Sequence, residues 1–398
     1  MASTRSVKGL QPDRVKPTPK PLPASVLGQR TNLMDEPETP EVKPPIPKIS
    51  PYIHNPYTDQ GVIDMKFDFD DVLIMPASQS FVESRYEDVN PYYADKLPIF
   101  SAPMDTVINQ HNMQDFTQNK INAILPRTVN NKRYSFCFNS LSLDEFEKEI
   151  TKMSPDDGAW KILIDVANGH MSKVIRYAKL AKQRNPNMVI MAGNIANPDT
   201  YLKYCESGAI DYARLGIGNG NGCLTTQQTG VGYPIASLIA ECNEIKKEFE
   251  NPTKMIADGG MKKPSDIIKA LALGADYVMI GSMFNKALES AAKSYWYKIP
   301  LSKSLAKYLF EHGYNIHKEF RGMSTKKSQR LLGNKTIRTS EGVVKKQIVE
   351  YTLPQLIENI EHYLRSAMSY SNSKTLSDFI GRVKFNVITE NSFNRYNK

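Results

Sequence analysis

Cysteine is scarce in this chain, with four residues in 398, at 137, 205, 223 and 242. No two form a CxxC pair and no nearby histidine completes a ligand set, so neither a zinc site nor a disulfide framework is expected. Scarcity of this kind fits a reducing compartment, and a cytoplasmic location follows as the expectation. Long apolar runs are missing as well. No stretch approaches the ~18 uninterrupted apolar residues of a membrane-spanning helix. The N-terminus lacks the apolar core of a secretory signal. There is no Walker A loop, no HExxH, and no GxGxxG in a strand-to-helix context. The six histidines, at 54, 111, 170, 312, 317 and 362, are scattered. Only His170 follows a predicted strand end.

What is present suits a folded protein. Hydrophobic residues make up 40% and charged residues 23%, enough to bury a core, so a wholly disordered chain is excluded. The formal net charge is +9, from 51 Lys and Arg against 42 Asp and Glu. That excess suits an anionic ligand such as a nucleotide; lysine-rich helices account for it equally well. Nucleic acid and membrane are not expected as partners.

Residues 1–60 stand apart. They carry 12 of the 25 prolines, in runs such as Lys43-Pro44-Pro45-Ile46-Pro47. Proline fixes φ and removes a backbone donor, so the segment reads as an extended, disordered, proline-rich basic arm. Its six acidic residues argue against a mitochondrial transit peptide. Residues 61–398 read as one catalytic domain. Short apolar runs at 98–101, 122–125, 135–139, 162–166, 188–192, 212–215, 255–257 and 277–280 alternate with helical stretches at 170–184, 198–207, 233–250 and 264–273. Pro198 with Gly208, and Pro264 with Gly274, punctuate helix starts and ends. Eight buried-type strands alternating with helices imply a parallel sheet, and eight units imply an α/β fold, a (β/α)8 TIM barrel. A doubly wound open sheet is the alternative. Polar or glycine residues follow nearly every strand, which suits a barrel whose strand ends converge on one face.

Gly216-Ile217-Gly218-Asn219-Gly220-Asn221-Gly222-Cys223-Leu224-Thr225 is the most informative segment. Alternating glycines let the backbone approach a ligand and aim amides at an anion. A cysteine there can be exposed as a stabilised thiolate, and the Thr225 hydroxyl can relay a proton. A glycine-rich turn with an incidental cysteine is the plainer alternative. Asp258-Gly259-Gly260 and Gly281-Ser282 follow the last two strands, where barrels bind phosphate. Asp258 repels phosphate and suits a ribose diol instead. Cys137, read in a strand, and Cys205 and Cys242, read in helices, are expected in the core.

These segments, read together, resemble the IMP dehydrogenase/GMP reductase family from about residue 62 to 392. The matching motifs are Phe67–Leu73, Ser101–Val107, Asp165–His170, Met191–Asn194, the cysteine loop, Thr229–Pro234, Ala257–Gly260, Gly274–Phe284, Phe320–Met323 and Arg365-Ser366. The resemblance implies a barrel enzyme acting on GMP and IMP, assembled as a homotetramer. Both branches of the family join the loop cysteine to purine C2. Arg338-Thr339-Ser340-Glu341-Gly342, Thr229–Pro234, Asp165–Gly169 and Ser84-Arg85 are similar to reductase forms. Only 18 positions separate Met323 from Glu341, close to the reductase spacing, and the residues between carry no Arg-Tyr pair. No CBS insertion interrupts residues 126–134. Ser101–Pro103, Gly281-Ser282 and Phe320–Met323 are similar to dehydrogenase forms. A GMP reductase using NADPH is the reading these features support. An IMP dehydrogenase using NAD, or a non-catalytic barrel acting in assembly, are the alternatives.

By the same resemblance the catalytic residues are Cys223, Thr225 and Glu341. Substrate binding falls to Ser101, Met104, Gly220, Asn221, Asp258, Gly259, Gly260, Gly281, Ser282, Gly322, Met323, Ser324, Arg338, Ser340 and Gly342. Cofactor binding falls to Ser84, Arg85, Asp165, Val166, Ala167, Ile217 and Gly218; the reductase's cofactor lysine after strand two is missing, and Arg127 is the nearby cation that could substitute for it. A monovalent cation, K+, would sit at Gly218, Gly220 and Cys223. The chain departs from the family at Asn219, Asn221 and Thr226. Asn221 stands where a serine normally meets the phosphate, and Thr226 where the reductase has an arginine near the cation.

Overall fold

The computed structural model describes residues 65–128, 134–332, 336 and 342–396. The proline-rich arm, and Arg338, Ser340 and Glu341, lie outside the described residues. Eight parallel strands form the centre: β1 (Ile99–Ser101), β2 (Ile124–Leu125), β3 (Phe138–Leu141), β4 (Lys161–Asp165), β5 (Val189–Ile195), β6 (Tyr212–Leu215), β7 (Lys254–Asp258) and β8 (Tyr277–Ile280). Neighbours pair in chain order from β2 to β8, and β8 pairs with β1. The seam between β1 and β2 is closed by a bridge of Phe100 to Asn122. The Ser101 hydroxyl also accepts the Ile124 amide at 3.0 Å. The sheet is therefore a closed (β/α)8 barrel, as the sequence predicts.

Each strand forms where the sequence concentrates apolar residues. Most strand residues are buried, as strands covered on both faces must be; the exceptions lie at strand ends and at the polar positions Asn139, Asn194 and Arg214. Phe100, Ile124, Phe138, Leu163, Met191, Ile256 and Met279 fill the interior. Phe100, Phe138, Tyr212 and Tyr277 pack mostly edge to face, with centroids 5.0–6.1 Å apart. This plug consists of side chains near the strand starts, so the open mouth lies at the other end.

The helices are α1 (Met113–Gln118), α2 (Leu143–Ile150), α3 (Ser172–Arg184), α4 (Pro198–Ser207), α5 (Thr225–Thr229), α6 (Ile235–Lys246), α7 (Pro264–Leu273) and α8 (Ser282–Asn285). Proline opens α4 and α7, as expected from the sequence. Gly208 ends α4 at φ +59, in the left-handed region. Cys205 and Cys242 are buried in α4 and α6. Cys137 is buried too, but it precedes β3 instead of lying in a strand. The strand starts one residue later, and Asn139 ties the preceding turn by donating to the Tyr134 carbonyl.

Beyond β8 an excursion forms a four-stranded antiparallel sheet that the sequence reading missed. Its strands are β9 (Ser294–Trp296), β10 (Ile299–Pro300), β11 (His317–Arg321) and β12 (Val344–Ile348), in the order β10-β9-β11-β12. Helices α9 (Lys303–Glu311) and α10 (Lys326–Leu331) belong to this excursion. The 18-residue α11 (Leu353–Tyr370) returns along the barrel, burying Leu353, Leu356, Ile357, Ile360, Leu364 and Met368. Among the described residues no helix is long and apolar enough to cross a membrane.

Candidate active site

A cavity of about 370 Å³ opens where the strands end, within the range of small-ligand sites (roughly 300–1,000 Å³). One wall is the cysteine loop from Gly216 to Cys223. Met104, Gly281 and Ser282 come from the ends of β1 and β8, and Asp258, Gly259 and Gly260 from the end of β7. Asp165, Val166 and Ala167 line the side above β4, with Arg127 beyond β2. Gly322, Met323 and Ser324 arrive from the excursion after β11. Segments far apart in sequence thus meet at one mouth.

Glycine makes this meeting possible at a few points. At Gly218, φ is +83 and a β-carbon would lie 1.7 Å from the Thr226 hydroxyl oxygen. A β-carbon on Gly322 would lie 2.5 Å from the Gly222 carbonyl oxygen, and one on Gly222 would lie 2.9 Å from the Phe320 ring. The cysteine loop and the Met323 turn therefore pack backbone to backbone. Val343 extends the contact by donating its amide to the Gly222 carbonyl at 3.0 Å. Gly342 pairs with Cys223 in an antiparallel bridge.

Cys223 is half-buried, and its thiol donates to the Thr225 hydroxyl oxygen at 3.2 Å. Its amide donates to the Gly220 carbonyl at 2.9 Å. The other three thiols are buried, and burial raises each above its ordinary range; Cys137 is pushed up to about 11. Beside the loop, the Asn221 amide donates to the Ser282 hydroxyl at 3.1 Å.

Deeper in the mouth Arg214 joins two carboxylates. Its Nη1 donates to Asp165 at 2.7 Å and its Nε to Asp258 Oδ2 at 2.9 Å. Asn194 donates to the same Asp258 oxygen at 2.7 Å. Burial pulls the Arg214 guanidinium down, but Asp258 and Asp165 together hold it above its ordinary value. Asp258 Oδ1 has no hydrogen bond among the described residues. The sequence reading missed Arg214 and Asn194. The signal was present: an arginine inside the otherwise buried run Tyr-Ala-Arg-Leu needs a buried acceptor.

Four expected site residues do not line the cavity; Gly342 stands behind its wall, bridged to Cys223. Ser101 is fully buried, and its hydroxyl closes the barrel seam. Ser84 and Arg85 lie against the far part of α11, where Arg85 donates to the Ser366 hydroxyl at 2.6 Å. Neither lines the mouth. His170 is also structural: its Nε2 accepts the Ala196 amide at 3.1 Å and its Nδ1 meets Thr200 at 2.7 Å.

The residues named for a cation do not by themselves form a cage. Gly218, Gly220 and Cys223 offer three neutral backbone carbonyls, the Gly220 one also accepting the Cys223 amide, and a cation there would need further oxygens from elsewhere. Asp165, Val166, Ala167 and Arg127 line the cavity, and Arg127 Nε, without a hydrogen-bond partner among the described residues, forms a longer ion pair with Glu145 at 3.7 Å.

The IMP dehydrogenase / GMP reductase domain model matches residues 128–396. A GMP reductase of Clostridium acetobutylicum is 31% identical over 354 residues, covering 82% of this chain and 97% of that protein. Human GMP reductase 1 is 28% identical over 352 residues, covering 82% of this chain and 96% of that protein. The reductase of Staphylococcus carnosus is 29% identical over 346 residues, covering 82% and 98%. A barrel with a cysteine loop at its mouth and sequence similarity along most of its length lead to one conclusion: the chain belongs to the IMP dehydrogenase/GMP reductase family.

Proposed function

We propose that the protein is a GMP reductase, converting GMP to IMP and ammonia with NADPH. The observation that carries this reading is the pairing of the Cys223 thiol with Thr225 at the cavity wall, with Gly342 set against Cys223. Glu341 precedes Gly342 directly in sequence.

In this reading Cys223, as thiolate, adds to purine C2 and forms a carbon–sulfur bond. Glu341 and Thr225 deliver a proton to the exocyclic amine, which leaves as ammonia. The nicotinamide cofactor, when bound, supplies a hydride. Cys223 departs from C2 with the carbon–sulfur electron pair, and IMP is released. Asp258 holds the ribose hydroxyls through its free oxygen while Arg214 and Asn194 fix the other. Asn221 and Ser282 hold the phosphate. The Met323 turn faces the base. Asp165, Val166, Ala167 and Arg127 hold the cofactor. A homotetramer in the cytoplasm is the proposed setting, resting on family resemblance.

The test is a side-by-side assay at the nicotinamide absorbance band. GMP should drive oxidation of NADPH by the wild type, and Cys223→Ser should abolish it. Reduction of NAD with IMP, in the absence of the GMP reaction, would favour the dehydrogenase reading, to which the Phe320–Met323 form is similar.

A further inference from the structure

We infer that Arg321 is a positioning residue: it straps the Met323 turn to the Met104 loop and so sets two walls of the nucleotide cavity. The inference rests on the GMP-binding reading above and deepens it.

Arg321 ends β11, immediately before Gly322 and Met323. It is only 8% exposed and does not line the cavity. Its guanidinium reaches its own strand and two other segments. Nη2 pairs with Asp105 Oδ2, in the loop after β1. Nη1 pairs with Glu319 at 2.5 Å, on its own strand. Nε donates to the Ser328 hydroxyl at 3.2 Å, in α10. Ser328 in turn donates to the Gly322 carbonyl at 3.2 Å, and Thr325 donates to the same carbonyl at 2.9 Å. The turn that presents Met323 is thereby held from both sides.

Asp105 follows Met104, whose sulfur packs so closely on Gly281 that a β-carbon there would lie 3.0 Å from it. The strap therefore joins the Met104 wall to the Met323 wall. Lys327 of α10 also grips Glu319, at 2.6 Å to each oxygen, so two cations face two carboxylates. A buried ion pair of this kind stabilises a fold little better than apolar packing would. Asp105 Oδ1 is moreover buried without a partner among the described residues. What the guanidinium does supply is a rigid planar fork, which lysine cannot reproduce.

The test measures GMP affinity by calorimetry and melting temperature for the wild type, Arg321→Lys, Arg321→Met and the double variant Asp105→Asn/Arg321→Met. Arg321→Met alone leaves Asp105 buried and unpaired, so it should lose both melting temperature and affinity. The double variant removes both charges, so its melting temperature should recover while GMP affinity stays at least tenfold weaker. Arg321→Lys should weaken GMP several-fold with little change in melting. A double variant that binds GMP like the wild type would overturn the strap, as would affinity that tracks melting temperature throughout the set. Failure of the wild type to bind GMP would overturn the functional reading, and the strap with it.

Discussion

Asp258 offers one carboxylate oxygen to Arg214 and Asn194 and leaves the other without a partner among the described residues. A group fixed on one side and open on the other is preorganised for a diol, because binding need not order it first. Asp258→Ala should therefore erase discrimination between GMP and 2′-deoxy-GMP. The wild type should prefer GMP roughly tenfold or more, the scale of a hydrogen bond to a charged group. Competitive binding of the two nucleotides checks it. An unchanged preference in the variant would show that the ribose is held elsewhere. Asp258 was legible in the sequence because it stands alone before two glycines. Arg214, which orients it, was not recognised, because strand reading by apolar runs passes over a single inward charge.

At the scale of elements, the eight strands could be read to within a few residues. Most are short, mainly apolar runs bounded by polar, proline or glycine residues, with Arg214 the one charge inside β6. The excursion sheet escaped because β12 reads Val-Lys-Lys-Gln-Ile and is almost wholly exposed, giving neither a run nor an alternation. Tertiary pairing with β11, from His317–Ile348 to Arg321–Val344, makes it a strand. Inside β11, Lys318 is 1% exposed and its amine donates to the Leu288 and Ser290 carbonyls and the Ser290 hydroxyl at 2.6–2.9 Å. Burial drives that amine from its ordinary 10.5 down to about 7. Between those values the unfolded chain holds a proton that the folded chain has lost, so stability should rise with pH across that window. Urea midpoints at pH 7 and pH 9.5 should show this rise in the wild type and a flatter profile in Lys318→Met. Identical profiles would contradict the shift. Ser101 gives a second check. Loss of its hydroxyl in Ser101→Ala orphans the buried Ile124 amide and should cost about 1–3 kcal/mol of unfolding free energy. Nucleotide affinity should be nearly unchanged, since the side chain does not reach the cavity.

For the molecule as a whole, the barrel brings together segments that chain order keeps far apart. Motif order along the sequence pointed to most of the cavity lining. It could not show that Ser84 and Arg85 stand apart from it, because sequence spacing carries no distance across a closed sheet. The same architecture sorts the thiols. Cys137, Cys205 and Cys242 are buried and held protonated, while Cys223 lines the mouth. The most direct measurement is the rate of iodoacetamide labelling at each cysteine, read by peptide mass spectrometry with and without saturating GMP. Labelling should concentrate on Cys223 and fall sharply when GMP occupies the cavity. Labelling of Cys223 at an undiminished rate, while calorimetry shows GMP bound, would contradict a thiol poised at the purine ring.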